Sequence, residues 1–317
     1  MSPPRRPLSR GRLGLGVGLD LPWGAPVGFR SDPAGADAVA DSVVRFLNEH
    51  AGTFAHLFVS WQPKNRNRLD AREYFSAYDD LFARAPRYRA RALHQTTLNL
   101  GALERYDRAP ILELTNALIE RHGLAWVNED LGLWSLRGRP LPYPLPPYLT
   151  PRGRDAAIGN VSEVQAGLAA PLLLEFPGFS HDESLVIGDL HAYDFFREVV
   201  EATCTCATLD VGHLLSYQWL RGRRGEALYQ ELERLPTAHC FEIHLSGCAI
   251  QGDRFMDFHH GVLLDEQLEL LSRLLPLCPN LCAITYEDPK FDAAGELLSA
   301  TRAGFERLRT LVAGWQV

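Results

Sequence analysis

Glu175 follows three leucines, Leu172, Leu173 and Leu174, and Asp210 closes another apolar run with His213 three residues on. His244 sits inside "CFEIHLSG", and Asp257-Phe258-His259 follows in the next loop. His94, Glu129 and Glu287 hold comparable places within or at the ends of further apolar runs. An ionisable group set after a run of leucines is costly unless it is paired or coordinates a cation. One such residue is usually a hydrogen-bonded core group. Several converging on one rim are different, because gathered carboxylates repel one another and need raised pKa values unless a cation is present. Imidazole and carboxylate donors without a thiolate set suit iron, zinc or manganese. Asp257 and His259 are expected on one face of a short extended segment, with Phe258 on the other. A turn after the strand brings Asp210 and His213 together. Asp130, His260 and Asp288 flank these residues and are read as their supports.

Something must carry these groups to one place. Apolar runs at 13–20, 54–61, 91–100, 124–131, 171–178, 207–214, 240–247 and 282–289 read as strands. Amphipathic stretches near 36–51, 71–86, 107–122, 155–169, 189–203, 224–234, 263–275 and 292–313 read as helices. Near-continuous apolar strands suit a parallel sheet buried on both faces, and strict alternation argues for βα units. Eight units predict an α/β protein with a single (β/α)8 TIM barrel, whose chemistry sits at the C-terminal ends of its strands. An ionisable group closes or interrupts every strand from the third to the eighth. The Pro-rich segment 137–154 is expected as a long loop after the fourth strand. Residues 1–12 are expected as a flexible arm and 13–317 as the barrel domain.

The 317 residues carry a net charge of −7, a poor prior for a nucleic-acid partner. No apolar run approaches the roughly 20 residues needed to span a membrane. The basic opening "MSPPRRPLSRGRLG" lacks the apolar core of a secretory signal. Six cysteines, none in a CxxC pair, read as reduced thiols in a cytoplasmic protein. "GLGVGLD" in the first strand is not a dinucleotide fingerprint, and close packing explains its glycines. "RGRRGE" at 221–226 reads as a solvated loop, or as a clamp for an acidic peptide if it lines the barrel mouth.

The ordered set His94, Glu129, Glu175, Asp210-x-x-His213, His244, Asp257-x-His259, Glu287 resembles the multinuclear non-haem iron-dependent oxidative enzymes, the group that includes the methanobactin-biosynthesis oxidase. "VNEDLGLW" with "PLPYPLPPYLT", "LLLEFPGFS", "HLSGC" with "DFH", and "YEDP" look like blocks of that family, and the similarity runs from about Gly14 to Asp288. The resemblance implies a TIM barrel holding two or three irons through His94, Glu129, Glu175, Asp210, His213, His244, Asp257, His259 and Glu287. Asp210 and His244 would be catalytic as well. It further implies dioxygen as co-substrate and a ribosomally made precursor peptide modified at a cysteine, expected near its C-terminal end, or at another side chain. A separate leader-recognition protein would be the partner. The chain departs from the family pattern at Asp130 (usually His), Phe176 (usually Asn) and Cys248 (usually His), and "VSWQPKNR" lacks the usual glutamate. The same order also resembles the endonuclease IV type of xylose-isomerase-like barrel, which implies a zinc- or manganese-dependent hydrolase or isomerase as the alternative. A barrel scaffold with incomplete metal occupancy is the non-enzymatic alternative.

Overall fold

The computed structural model describes residues 11–19, 33–61, 71–179 and 185–316. Strand and helix alternate throughout. β1 (Gly14–Leu19), α1 (Pro33–Glu49), β2 (His56–Trp61), α2 (Ala71–Arg84), β3 (Ala90–Gln95), α3 (Ala109–His122) and β4 (Trp126–Asp130) form the first half. A hairpin, β5 (Leu133–Leu136) and β6 (Arg139–Leu145), precedes α4 (Pro151–Gly167). Then come β7 (Leu172–Glu175), α5 (Ala192–Thr203), β8 (Cys206–Asp210), α6 (Val211–Leu220) and β9 (Cys240–Leu245). A second hairpin, β10 (Cys248–Gln251) and β11 (Arg254–Asp257), leads to α7 (Asp265–Leu274), β12 (Ala283–Glu287) and α8 (Ser299–Gln316). Eight strands close in the order β1-β12-β9-β8-β7-β4-β3-β2, every neighbour parallel. This is the expected (β/α)8 barrel.

Side chains alternate across a strand, so one parity on each strand faces the lumen. Inter-strand register fixes that parity around the ring. His94 pairs with Asn128, Asp130 with Glu175, Asp210 with His244, and His244 with Thr285. The lumen residues therefore include Trp126, Asn128 and Asp130 on β4, Glu242 and His244 on β9, and Thr285 and Glu287 on β12. β1 meets this interior with glycines. A Cβ on Gly16 would lie 2.1 Å from the His56 ring, and one on Gly18 would lie 2.2 Å from the Phe58 ring. The glycines of "GLGVGL" thus make room for two neighbouring side chains, as close packing requires. The opposite parity supplies the apolar layer beneath the helices, including Val17, Leu57, Val127, Leu174, Leu209 and Ile243.

Several expected boundaries move, each for a local reason. The Pro-rich segment is not a plain loop: it builds β6, pairs with β5, and then enters α4 at Pro151. A two-stranded hairpin has edges that need no partner, so Pro140 and Pro144 are tolerated there. The sixth barrel strand stops at Asp210 because that side chain accepts the His213 N–H at 2.7 Å and starts a helix. Its helix is Val211–Leu220, not 224–234. The latter stretch breaks into 3-10 turns at Gly225–Tyr229 and Leu232–Arg234, with positive φ at Gly222, Gly225 and Glu231. In the basic run at 221–226, Arg221 pairs with Glu231, and Arg224 pairs with Asp253 and stacks on Trp219. Of the expected arm, residues 1–10 lie outside the described residues, and Arg12 stacks on Trp315 with 4.7 Å to the ring centre. No helix among the described residues is long and apolar enough to cross a membrane.

Candidate metal centre

The strand ends bring most of the expected donors together. His94, Glu175, His244 and Glu287 each offer an atom to one cluster, with all four atoms within 4.8 Å of one another. His94 Nε2 lies 3.0 Å from Glu175 Oε2. His244 Nδ1 lies 3.2 Å from Glu175 Oε1 and 2.8 Å from Glu287 Oε1. A second cluster joins Asp210, His213 and Asp257, with His213 Nε2 3.3 Å from Asp257 Oδ2. A third grouping, Asp130, Glu175 and His213, lies between them.

The third grouping has a competing claim on its imidazole. Its carboxylates approach His213 at Nδ1, at 3.7 and 3.9 Å. That nitrogen donates to the Phe176 carbonyl at 2.7 Å. A neutral imidazole offers its other nitrogen as the ligand, so His213 serves Asp210 and Asp257 through Nε2. The hydrogen bonding thus separates two adjoining candidate clusters. Asp130 stands beside the first, 4.0 Å from His94 Nε2.

Adjacent residues at the end of β4 take opposite parts. Glu129, expected as a ligand, faces away from the lumen. Its carboxylate accepts the backbone N–H groups of Thr97, Leu98 and Asn99 at 3.1, 3.0 and 3.3 Å, and so it shapes the loop after β3. Asp130, expected only as a support, takes the lumen position. Asp257 ends β11, and its Oδ1 accepts the Ser246 hydroxyl at 2.7 Å. The Asp257-x-His259 segment is not extended as expected, because His259 adopts a left-handed φ of 48°. The bend still sets His259 Nε2 3.6 Å from Asp257 and 3.8 Å from Glu287, with Nδ1 3.6 Å from Asp288. Asp288 shares that left-handed φ of 48°, so the rim carries two strained residues side by side. His260 stays outside the clusters, its Nδ1 accepting the Val262 N–H at 3.2 Å.

At the three positions that depart from the family pattern, two residues are apolar or neutral. Phe176 is buried against Phe179, Tyr193, Phe196 and Tyr217. Cys248 is buried 3.8 Å from Asp257 Oδ1, and burial, followed by that carboxylate and Asp210, pushes its thiol well up. Sequence reasoning missed Glu242, a wholly buried carboxylate one lumen layer below His244. Its spacing of two from His244 on a strand was the available signal.

Electrostatics test whether these residues fit a cation. Burial opposes charge on His94, yet the Glu175 and Asp130 carboxylates overcome it and raise its pKa to about 9. Burial likewise opposes His244 and His213, and Glu175 and Asp210 respectively carry them well above the ordinary value. Asp210 is pushed up by burial and by the neighbouring carboxylates Glu287 and Asp257. Protons on imidazoles take the place of a cation among five carboxylates: Asp130, Glu175, Asp210, Asp257 and Glu287. Asp210 Oδ2 is buried without a hydrogen-bond partner, and Glu287 Oε1 faces His244 without hydrogen-bond alignment. A buried acceptor with no donor to meet it, as at Asp210 Oδ2, fits a bound metal ion, and the mixed nitrogen and oxygen set suits iron, zinc or manganese.

Known proteins resemble this chain in sequence and in fold. A UPF0276 protein of Rhizobium meliloti (strain 1021) is 26% identical over 201 residues, 59% of this chain and 60% of the relative. A UPF0276 protein of Paraburkholderia phytofirmans (strain DSM 17436 / LMG 22146 / PsJN) is 29% identical over 169 residues, 51% of each. The chain thus spans between half and about three fifths of the length of these curated relatives. Among solved structures, a xylose isomerase domain protein from Alicyclobacillus acidocaldarius subsp. acidocaldarius matches with a TM-score of 0.52 and 19% identity, covering 96% of this chain and 100% of that one. Endonuclease IV from Thermus thermophilus matches at 0.50 and 14%, covering 95% and 99%. At these identities the likeness shows the fold. The family described as RiPP precursor modification enzyme MbnB/TglH/ChrH matches residues 73–303, well over half of the chain. The chain belongs to that family.

Proposed function

We propose that this chain is a metalloenzyme that modifies a ribosomally made precursor peptide by oxidation, with iron as its metal, dioxygen as co-substrate and a peptide cysteine as the modified residue. The observation that supports it best is the gathering of two donor clusters at the mouth of the barrel, in a chain that belongs to a family of precursor-peptide modifying enzymes. His94, Glu175, His244 and Glu287 would hold one iron, and Asp210, His213 and Asp257 a second, with Asp130 beside the first. Iron held by imidazoles and carboxylates supplies one-electron chemistry and open positions for a thiolate and dioxygen.

The protein's own part is to position and to exclude water. Phe58 packs its ring 5.5 Å from His94 and 5.2 Å from His244, an apolar wall beneath the first cluster. Ser246 holds Asp257 toward His213, and its own carbonyl is tied by the Gln267 amide at 2.9 Å. His259 is the candidate ligand most open to solvent, 33% exposed, with Asp288 on its far nitrogen. Such an imidazole would serve as a proton carrier for a substrate thiol entering at the rim. The six free cysteines suit a reducing cytoplasm, and a separate leader-recognition protein would deliver the peptide.

The test is mass spectrometry of precursor peptides carrying a cysteine near the C-terminal end, incubated with iron-loaded protein, reductant and dioxygen. A mass change abolished by replacing that cysteine with serine is expected. A change that survives the replacement would refute the thiolate-anchored reading.

A further inference from the structure

We infer that Glu242 is a positioning residue that holds the His244 imidazole in the tautomer presenting Nδ1 to the barrel mouth. The inference rests on reading the His94–Glu175–His244–Glu287 cluster as a metal centre. Glu242 and His244 stand two apart on β9 and share its lumen face, with Glu242 one layer deeper. A fully buried carboxylate is tolerated only when donors saturate it. Glu242 Oε2 accepts Trp126 Nε1–H at 2.8 Å and an Asn128 amide N–H at 3.0 Å. Glu242 Oε1 accepts the Thr285 hydroxyl and lies 3.3 Å from His244 Nε2. His56, below, is 3.6 Å from the same oxygen.

The two edges of the His244 ring therefore meet different surroundings. Nε2 faces Glu242, and Nδ1 faces Glu175 at 3.2 Å and Glu287 at 2.8 Å. A neutral ligand imidazole carries one N–H and one lone pair, so the nitrogen that hydrogen-bonds decides which one ligates. Asn128 Nδ2 also lies 3.1 Å from Nε2, and an amide N–H aimed there would favour the opposite tautomer. The Asn128 amide nitrogen has two N–H groups: one donates to Glu242 Oε2 and the other faces His244 Nε2, while its oxygen accepts the Thr208 hydroxyl at 3.3 Å. With a cation held by Glu175 and Glu287, Nδ1 must present its lone pair and the hydrogen must move to Nε2, where the full charge of Glu242, 3.3 Å away, outweighs the amide dipole as its partner. The hydrogen then sits on Nε2, and the Nδ1 lone pair points at the candidate centre. His213 is braced differently, by the Phe176 carbonyl on its Nδ1. The effect of Glu242 is accordingly confined to one of the two centres.

The experiment uses the full chain, stripped of metal and titrated with zinc(II) against a chromophoric chelator. Wild type is expected to bind two ions. Glu242→Gln should keep native circular dichroism, lose roughly 10–100-fold in affinity at one centre, and hold the other unchanged. Unchanged affinity at both centres would overturn the inference. An equal loss at both would reveal a general structural role and would overturn it too. Should Glu242→Gln fail to fold, the wild type decides. In zinc-loaded, ¹⁵N-histidine-labelled protein, the signals lost in His244→Gln should show a protonated Nε2 and a metal-bound Nδ1. A protonated Nδ1 there would contradict the inference. A wild-type chain that takes up no zinc would defeat the metal reading itself and the inference with it, a result distinct from a variant that binds as well as wild type.

Discussion

Glu175 Oε1 lies 3.2 Å from His244 Nδ1, although β7 and β9 are not neighbours and β8 runs between them. The contact crosses the lumen, and the other carboxylate oxygen reaches His94 at 3.0 Å. Glu175 is thus shared by both imidazoles of the first cluster. Glu175→Gln keeps its shape and removes its charge. The variant should fold and lose at least one bound metal ion per chain, as read by elemental analysis after reconstitution with ferrous iron. Full metal content in this variant would remove Glu175 from the candidate ligands.

Glu129 and Asp130 separate a loop brace from a lumen group. Glu129→Gln leaves three backbone N–H groups with a weaker acceptor and sets an amide N–H against them. It should cost about 1–3 kcal/mol in denaturant unfolding with metal content unchanged. Asp130→Asn should do the reverse, lowering iron content with little cost in stability, since it relieves a carboxylate whose pKa burial, followed by Glu175, already pushes up to about 6. If Glu129→Gln loses metal and Asp130→Asn does not, the parity assigned to β4 is wrong.

That pair shows what the sequence could and could not carry. Eight strands were legible because a doubly covered parallel strand is an apolar run that stops at a polar residue, as Leu172, Leu173 and Leu174 stop at Glu175. Which of two adjacent carboxylates enters the lumen was not legible, because parity depends on register with neighbouring strands: Asp130 opposite Glu175, Asn128 beside His94. The start of α6 was hidden for a related reason. "ATLDVGHL" stays apolar through the strand-to-helix junction, and only the Asp210 side chain, capping His213 N–H, marks it. The bend at His259 is a backbone property of a non-glycine residue, and residue type gave no warning of it.

Metal-free protein should lose stability as pH rises from about 6.5 to about 9. His94 has a folded pKa of about 9 against an ordinary 6.5, so the stabilisation from its proton is complete below 6.5 and lost through 9. His213 and His244 are raised in the same direction. Asp210, raised from 3.8 to about 7, adds the same sign between those values, mostly below this window. Glu175 and Asp257 are depressed, and their contribution changes only in acid, outside this window. Bound metal replaces those protons, so the melting temperature of metal-loaded protein should hold level or rise over the same range. Parallel melting curves across that pH range, with and without metal, check this. Identical pH slopes for the two forms would contradict it.

His259→Ala should lower turnover far more than metal content. The ring is part-exposed at the rim, and its Nε2 lies at 3.6 and 3.8 Å from Asp257 and Glu287, outside both compact clusters. Removing it leaves in place the seven donors of the two clusters, His94, Glu175, His244, Glu287, Asp210, His213 and Asp257, with Asp130 beside them. Peptide conversion and iron content are to be measured on the same preparation. Loss of both metals from this variant would make His259 a principal ligand instead.

The most direct test of the central claim is metal-dependent conversion of a cysteine-bearing precursor peptide, followed by mass spectrometry on one metal-stripped preparation divided three ways. One portion is reloaded anaerobically with ferrous iron, one with zinc and one with nothing, and each then receives peptide, reductant and dioxygen. Zinc competes well for such donors on affinity alone, so turnover rather than occupancy is the readout. The account expects a peptide mass change with iron and none in the other two portions. Conversion restored by zinc, with iron inert, would contradict it.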